Sequence, residues 1–340
     1  MFRRRMILGA VGLLLFCCLS LAAGFALFLK MPASPAGVER VFVVPSGATL
    51  KDVALGLEKE GMVRSGRLFH LWARLSGAQR RIKSGEYLLH PGLSPVQVLD
   101  RLTRGSILTH AVTVPEGYTA RQISRLLGQK GITDSRAFLA LALDPKTPRK
   151  YGFSAPSMEG FLYPDTYQLG RGLSASAVMN AMVGRFREVM GPFRDAVAAS
   201  GMSLEQVVTL ASIVEKETGK KEERPIIASV FLNRLRRGMR LESDPTVIYG
   251  LEHFNGNLTR KDLARPGPYN TYRIRGLPPG PIANPGRQAI RAVLFPAKTP
   301  YLYFVSRNDG THHFSETLKE HNRAVRKYQK QGAFTRKKAS

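Results

Sequence analysis

The pattern of apolar and polar positions divides the chain into one long uncharged run and a series of shorter amphipathic segments. The uncharged run extends from Met6 to Leu29 and follows three arginines, Arg3–Arg5. As a helix it would be about 36 Å long at about 1.5 Å per residue, enough to cross a bilayer. The positive-inside rule keeps the arginines in the cytoplasm and sends the chain after Lys30 across the membrane. We therefore predict a single-pass membrane anchor with an exported remainder.

A cleaved signal peptide is the alternative to this anchor. Ser20–Ala22 offers a small-x-small cleavage site inside the apolar run. We favour the uncleaved anchor, because Phe25–Leu29 extend the run beyond that site. Cys17 and Cys18 both lie within the run, so we expect neither disulfides nor a thiolate metal site in the exported part.

Beyond a short linker, Pro32–Gly37, the amphipathic pattern contains an internal repeat. Residues 43–63 align without gaps on residues 113–133. Each copy predicts a short strand, a Pro-x-Gly turn, a threonine cap and an amphipathic helix that ends at glycine. The segment Val41–Gly105 resembles LysM modules, which bind polymers containing N-acetylglucosamine. A duplicated α/β unit used as a spacer or dock is the alternative.

Longer helices and loops rich in glycine and proline begin near His110. Residues 300–305 alternate as a strand before a turn at Asn308–Gly310, which predicts a hairpin followed by a last helix. We therefore predict an α+β fold with three parts: the transmembrane helix, a small LysM-like α/β module and a larger mixed α+β domain.

The composition is strongly basic, with 51 Lys and Arg against 25 Asp and Glu and a net charge of +26. In an exported chain this charge favours lipid headgroups and cell-wall polymers as partners and argues against nucleic acid. A solvated basic surface is the alternative for most of these side chains. The C-terminal residues 332–340 form a basic tail, which we expect to be frayed.

One helical run, Ser203–Thr218, turns abruptly from apolar to acidic. Ser203 and Gln206 form an S-x-x-Q capping box, which predicts the start of the helix. Apolar residues cover well over half of the helix circumference, so we expect most of it to be buried.

Two glutamates, Glu215 and Glu217, end this run. Positions two apart on a helix differ by about 200°, so the carboxylates point to different sides and only one can face a given cleft. A glutamate against an apolar wall has a raised pKa and can act as a general acid near neutral pH. The alternative is a glutamate paired with an arginine of the next helix, where three are available: Arg234, Arg236 and Arg237. Helical geometry does not decide which glutamate has which role.

A series of motifs in the second half of the chain carries a family resemblance. They are Ala211–Thr218 (ASIVEKET), Ala228–Leu235 (ASVFLNRL), Gly238–Leu241 (GMRL), Ser243–Gly250 (SDPTVIYG), Tyr269–Tyr272 (YNTY), Gly276–Ile282 (GLPPGPI) and Pro296–Phe304 (PAKTPYLYF). In this order they resemble the motifs of the endolytic murein transglycosylases, the MltG (YceG-like) family. The resemblance covers nearly the whole chain, including the anchor.

The resemblance implies a lytic transglycosylase that cuts nascent peptidoglycan strands internally, between N-acetylmuramic acid and N-acetylglucosamine. It assigns catalysis to the second acid of the Glu-Lys-Glu triplet, Glu217, and leaves Glu215 as a supporting acid. One carboxylate suffices, because the C6 hydroxyl of the muramic acid attacks its own C1 and forms a 1,6-anhydro end. Candidate substrate-binding residues are Asp244, Thr246, Tyr249, Asn270 and Tyr272, with core packing as the alternative for the tyrosines.

We expect no cofactor and no metal site, and the expected partners are peptidoglycan strands and the inner membrane. The sequence leaves open whether a peptidoglycan synthase is a further partner. A muramidase that uses water as nucleophile and a non-catalytic wall-binding scaffold remain alternative functions. The predicted boundaries are a cytoplasmic tail (1–5), a transmembrane helix (6–29), a linker (30–40), the LysM-like module (41–105), a periplasmic YceG-like catalytic domain (106–331) and the basic tail (332–340).

Overall fold

The computed structural model describes residues 2–45, 47–105 and 107–331, without the side chains of residues 2–10, 330 and 331. The chain forms two compact units. The first contains the residues up to Ala111 together with Gln168–Ser174, and the second contains Val112–Tyr167 and the residues from Ala175 onward. The predicted basic tail lies outside the described residues, and so do the side chains of Arg3–Arg5.

The first unit begins with a long helix and continues as a small α/β module. Its elements are α1 (Phe2–Lys30), β1 (Arg40–Val44), α2 (Leu50–Lys59), α3 (Gly66–Leu75), β2 (Gly85–Leu89) and α4 (Pro95–Arg104). β1 and β2 pair antiparallel, with Phe42 opposite Tyr87, and both side chains lie in the core of the unit. Among the described residues, α1 is the one helix that is by itself long and apolar enough to cross a membrane. That helix is compatible with the predicted anchor.

The structure confirms the strand, cap and helix predicted for each repeat copy; the middle residue of the first Pro-x-Gly turn, Ser46, lies outside the described residues. Thr49 and Thr119 are the N-caps of two ten-residue helices, and each closes a capping box with the third helical residue. Gly61 and Gly131 follow these helices with φ of +70° and +68°. Glycine adopts this left-handed conformation without steric penalty, which explains why the helices end there.

The second unit is mainly helical. Two strands, β3 (His110–Thr113) and β4 (Thr166–Leu169), pair with each other. The boundary between the first and second units falls within each of these strands. The remaining elements are α5 (Ala120–Gln129), α6 (Ser135–Leu143), α7 (Thr147–Lys150), α8 (Ala175–Met190), α9 (Arg194–Ala199), α10 (Leu204–Glu217), α11 (Arg224–Arg236), α12 (Asp244–Gly250), α13 (Arg260–Ala264), α14 (Arg287–Leu294), β5 (Tyr303–Ser306), β6 (His312–Ser315) and α15 (Leu318–Val325). Both units combine helices with short strands, so the predicted mixed α+β character is confirmed.

Helix α10 is the central helix of the second unit. Ser203 caps it through the predicted capping box with Gln206. All eight residues from Val207 to Val214 are buried, and the helix packs against α11, α12 and α14. The predicted C-terminal hairpin is also present, with β5 and β6 antiparallel and α15 after them. Burial on all sides holds α10 in place, and its acidic end is held with it.

Candidate active site

Glu217 is the last residue of α10, and its carboxylate lies at the edge of the buried core. The side chain is partly buried, and Ser243 Oγ donates a hydrogen bond of 2.5 Å to Glu217 Oε1. The pKa of Glu217 is raised to about 7, mainly because the side chain is buried. The Ser243 hydrogen bond opposes this rise in pKa, and the nearby charge of Asp244 adds to it. A carboxyl group with this pKa is partly protonated at neutral pH and can donate a proton to a bound substrate.

Ser243 is held in position by a buried set of hydroxyl groups. Its backbone N–H donates to Thr271 Oγ1 at 3.0 Å, and Thr246 Oγ1 donates to the Ser243 carbonyl at 2.6 Å. The two threonine hydroxyls are 2.8 Å apart. Thr246, a predicted substrate-binding residue, has no exposed surface. Its contacts therefore shape the turn that carries Ser243.

The residue before Ser243 has an unusual backbone conformation. Glu242 has a φ of +52°, a region that residues other than glycine rarely adopt. Its carboxylate lies 3.1 Å from Arg234 Nη1, and the same buried guanidinium donates to the carbonyls of Leu241 and Leu302. These contacts hold the turn in a form that directs Ser243 towards Glu217.

Asp244 and Tyr272 form a second polar pair near Glu217. Tyr272 Oη donates a hydrogen bond of 2.6 Å to Asp244 Oδ1. Asp244 is exposed and is the first residue of α12, directly after Ser243. Burial and the neighbouring acids raise the pKa of Tyr272, so it remains a neutral donor. The structure thus brings Glu217, Asp244 and Tyr272 together around one turn.

Asn270 closes the loop that precedes Tyr272. Its side-chain amide donates to the carbonyls of Leu263 and Arg265 at 3.0 and 2.7 Å, and its oxygen accepts from the Tyr272 N–H at 2.9 Å. Asn270 is 5% exposed. In this arrangement both amide N–H groups and the amide oxygen serve to order the loop.

Tyr249 lies in a different cluster, around a buried carboxylate that sequence reasoning missed. Tyr249 Oη is 3.3 Å from Glu159 Oε2, and Glu159 is only 2% exposed. The Ala120 N–H at the start of α5 donates to Glu159 Oε1 at 2.9 Å, and Asn284 Nδ2 donates at 2.8 Å. Burial raises the pKa of Glu159 to about 7 despite these donors. In the sequence, Glu159 stands in a loop without periodicity, so no pattern marked it.

Glu215 points to another side of α10 and is neutralised there. Its Oε1 lies 2.6 Å from Arg224 Nη2, and both side chains are about 95% buried. Its Oε2 accepts the N–H of Gly286 at 2.9 Å. Burial raises the pKa of Glu215, and the Gly286 hydrogen bond and the Arg224 charge oppose that rise. A Cβ at Gly286 would lie 1.9 Å from Glu116 Oε1, so a larger residue there would displace the Glu116 side chain.

The prediction that the two glutamates face different environments is confirmed. Glu215 pairs with an arginine of the next helix, as the alternative proposed, but not with Arg234, Arg236 or Arg237. Arg224, at the first turn of α11, pairs with Glu215, whereas Arg234 holds the turn before Ser243. Arg236 donates to Asn233 on its own helix. Arg224 and Arg234 lie about 15 Å apart along the helix axis, so they contact different neighbours. Sequence alone did not give the packing of α11 on α10.

Acidic and histidine side chains elsewhere in the described part of the chain pair with other groups. Within residues 2–45, 47–105 and 107–331, no three His, Cys, Asp or Glu side chains lie close enough to share an ion. His312 Nδ1 is instead 2.7 Å from Glu223 Oε2.

Comparison with known proteins gives consistent matches over most of the chain. The model of the YceG-like family matches residues 42–327. A Bacillus subtilis (strain 168) protein named "Endolytic murein transglycosylase" is 32% identical over 301 residues, which cover 84% of this chain and 83% of that protein. A Streptococcus pneumoniae serotype 2 protein of the same name is 29% identical over 83% of this chain, which spans 57% of that longer protein. The 2.6 Å crystal structure of a YceG-like protein from Listeria monocytogenes has a TM-score of 0.59 and 32% identity, covering 85% of this chain and all of that one.

Proposed function

This chain belongs to the YceG-like family, and from that premise we propose that it is a membrane-anchored endolytic lytic transglycosylase of peptidoglycan. It cleaves the bond between N-acetylmuramic acid and N-acetylglucosamine within nascent glycan strands and leaves 1,6-anhydro-muramic acid ends. The names of the curated relatives support the reaction class and the substrate. The helix α1 supports a single-pass anchor. The arginines before it, Arg3–Arg5, favour an N-terminus in the cytoplasm and a catalytic domain in the periplasm.

The observation that carries the proposal is the environment of Glu217, a partly buried carboxyl with a pKa of about 7 at the edge of an apolar helix. In its protonated form Glu217 donates its proton to the glycosidic oxygen as the bond from C1 breaks. The C6 hydroxyl oxygen of the same muramic acid then bonds to C1. The resulting carboxylate of Glu217 takes the C6 hydroxyl proton, which returns the enzyme to its starting state. Water is not a reactant.

The residues around Glu217 have separate roles in this proposal. The Ser243 hydroxyl orients the Glu217 carboxyl through their 2.5 Å hydrogen bond. The exposed Asp244 carboxylate, held by Tyr272, stabilises the positive charge that develops on the sugar ring in the transition state. Thr246 and Asn270 act indirectly, because their side chains are already used to hold the loops. Tyr249 acts through Glu159 and not on the sugar.

Product analysis of purified peptidoglycan strands tests the reaction. Wild type is expected to release fragments whose muramic acid ends are lighter by one water than hydrolytic ends. The variant Glu217→Gln is expected to lose at least about 100-fold in rate, because a general acid contributes about that much or more. Glu222→Gln is the matched control, since Glu222 is an exposed glutamate near the same helix end.

Each other outcome rejects a part of the proposal. A Glu217→Gln protein that cuts at the rate of Glu222→Gln would show that Glu217 is not the acid. Products with hydrolytic ends would make the protein a muramidase, with Asp244 placed to activate the water. A wild-type chain that binds strands and leaves them intact would make it a wall-binding scaffold.

A further inference from the structure

The last turns of α1 are part of the core of the first unit. Phe28 is 8% exposed and belongs to the buried core cluster, and Phe25 and Leu29 pack against that cluster. The rings of Phe25 and Phe28 are 6.4 Å apart and stacked. Helix α1 also packs against α4 of the same unit. The proposed anchor therefore ends inside a folded module.

The segment after α1 is also tied to the first unit. Arg64 Nε donates a hydrogen bond of 2.8 Å to the Pro32 carbonyl. The Ser34 N–H donates to the Pro91 carbonyl at 3.0 Å. Contacts at both positions leave little free chain between the helix and the module, so the module is expected to follow the anchor closely.

The length of α1 places this module at the membrane surface. If Phe25–Lys30 belong to the module, the apolar stretch left for the bilayer is Met6–Gly24. At about 1.5 Å per residue this stretch is about 28 Å long. The hydrocarbon core of a bilayer is about 30 Å thick. No helix therefore remains to hold the module away from the lipid headgroups.

One helix of the module presents an apolar face to solvent. The exposed residues of α3 are Arg67, Leu68, Leu71, Arg74 and Leu75. The three leucines are 37%, 45% and 70% exposed, while Phe69 and Ala73 on the other side are buried. Leucines flanked by arginines, with no acid in the helix, are typical of a helix that lies in a membrane interface.

The position of α3 connects this face to the anchor. Ser65 caps α3, and the preceding residue is Arg64, which holds the Pro32 carbonyl just after α1. The start of α3 is thus next to the point where the chain leaves the bilayer. Arginine side chains at this depth can reach lipid phosphates while the leucines contact acyl chains.

We propose that the exposed face of α3, formed by Arg67, Leu68, Leu71, Arg74 and Leu75, rests on the phospholipid surface into which α1 inserts. This inference rests on the proposed anchor but not on the proposed reaction. The bilayer is a second contact for the module and fixes its orientation on the membrane. A glycan strand bound by the LysM-like module would then be held close to the lipid surface.

Site-specific fluorescence in proteoliposomes tests the proposal with the full-length chain. The background carries Cys17→Ser and Cys18→Ser, and a single cysteine at Leu71→Cys is labelled with an environment-sensitive fluorophore. Vesicles contain phosphatidylethanolamine and phosphatidylglycerol. Val43→Cys is the matched control, because Val43 is an apolar residue of the same module and is 48% exposed. We expect a blue-shifted emission, quenched by lipid-borne nitroxide, at residue 71 and not at residue 43.

The outcomes separate the anchor from the α3 contact. A chain that does not float with the vesicles would refute the anchor and this proposal with it. A chain that floats while the label at residue 71 emits as in water would refute the α3 contact alone. Equal quenching at residues 71 and 43 would also count against it, because it would mean that the module adsorbs without a preferred face.

Discussion

The buried carboxyl of Glu159 makes the stability of the second unit depend on pH. Its pKa is raised from about 4.5 to about 7, because burial disfavours the charged form more than the hydrogen-bond donors favour it. The folded state therefore keeps a proton that the unfolded chain loses near pH 4.5. The stabilisation from this proton is complete below about pH 4.5 and is lost as the pH rises to about 7.

The size of the effect follows from the shift. A difference of about 2.5 pKa units, at about 1.4 kcal/mol each, corresponds to about 3 kcal/mol in the free energy of unfolding. Glu159→Gln removes the titration and keeps an oxygen that can accept from the Ala120 N–H. We therefore expect the free energy of unfolding of Glu159→Gln, measured relative to wild type, to increase by most of those 3 kcal/mol as the pH rises from about 5 to about 8.

Urea unfolding at several pH values measures this difference. Circular dichroism at 222 nm follows the helices, while the fluorescence of the single tryptophan, Trp72, reports the first unit separately. Glu217 titrates in the same pH range but is present in both proteins. Its contribution therefore cancels when the free energies of unfolding of the two proteins are subtracted at each pH. Glu222→Gln provides the control with an exposed carboxyl. A stability difference between Glu159→Gln and wild type that stays constant with pH would refute the reasoning.

Three further predictions concern the acidic helix and the anchor. Arg224→Met should lower the free energy of unfolding by about 3–5 kcal/mol, because it leaves the Glu215 carboxylate buried without its cation. Glu215→Gln should cost less, because Arg224 still has Glu116 at 3.6 Å as a partner. Urea unfolding that places Arg224→Met within about 1 kcal/mol of wild type would contradict the ion pair as a source of stability. Ser243→Ala should move the alkaline limb of kcat/KM to higher pH, since the serine hydrogen bond lowers the pKa of Glu217; a limb that moves down would exclude this role. Phe28→Ala should destabilise the first unit by about 3–5 kcal/mol, and an unchanged tryptophan transition would show that α1 does not contribute to that core.

Local sequence patterns predicted the elements of this protein well. The capping boxes at Thr49, Thr119 and Ser203 are made by residues three positions apart. The glycines after the repeat helices end them because their own backbone adopts a positive φ. Such signals need no knowledge of the rest of the fold. The burial of α10 and the C-terminal hairpin were predicted from equally local patterns, the spacing of apolar residues and the alternation before Asn308–Gly310.

The composition of the site was less accessible from sequence. Family motifs indicate Glu217, but its partner Ser243 lies 26 residues further along the chain, and no local pattern connects the two residues. Thr246 and Asn270 shared the same motifs, and the structure shows their polar groups occupied by the loops. A sequence motif groups residues of one site. It does not distinguish the residues whose side chains face a cleft from those whose side chains stabilise the surrounding loops.

The sequence by itself determined the apolar run, the repeated units, the capped acidic helix and the separation of two glutamates onto different faces, because each depends on neighbours within a few residues. Only the tertiary structure decided that Arg224 neutralises Glu215, that Ser243 binds Glu217 and that Asn284 meets Glu159 across 125 residues. These contacts arise from the packing of distant elements into one core. The pKa of each glutamate, and with it the chemistry, depends on that packing and on the burial it produces.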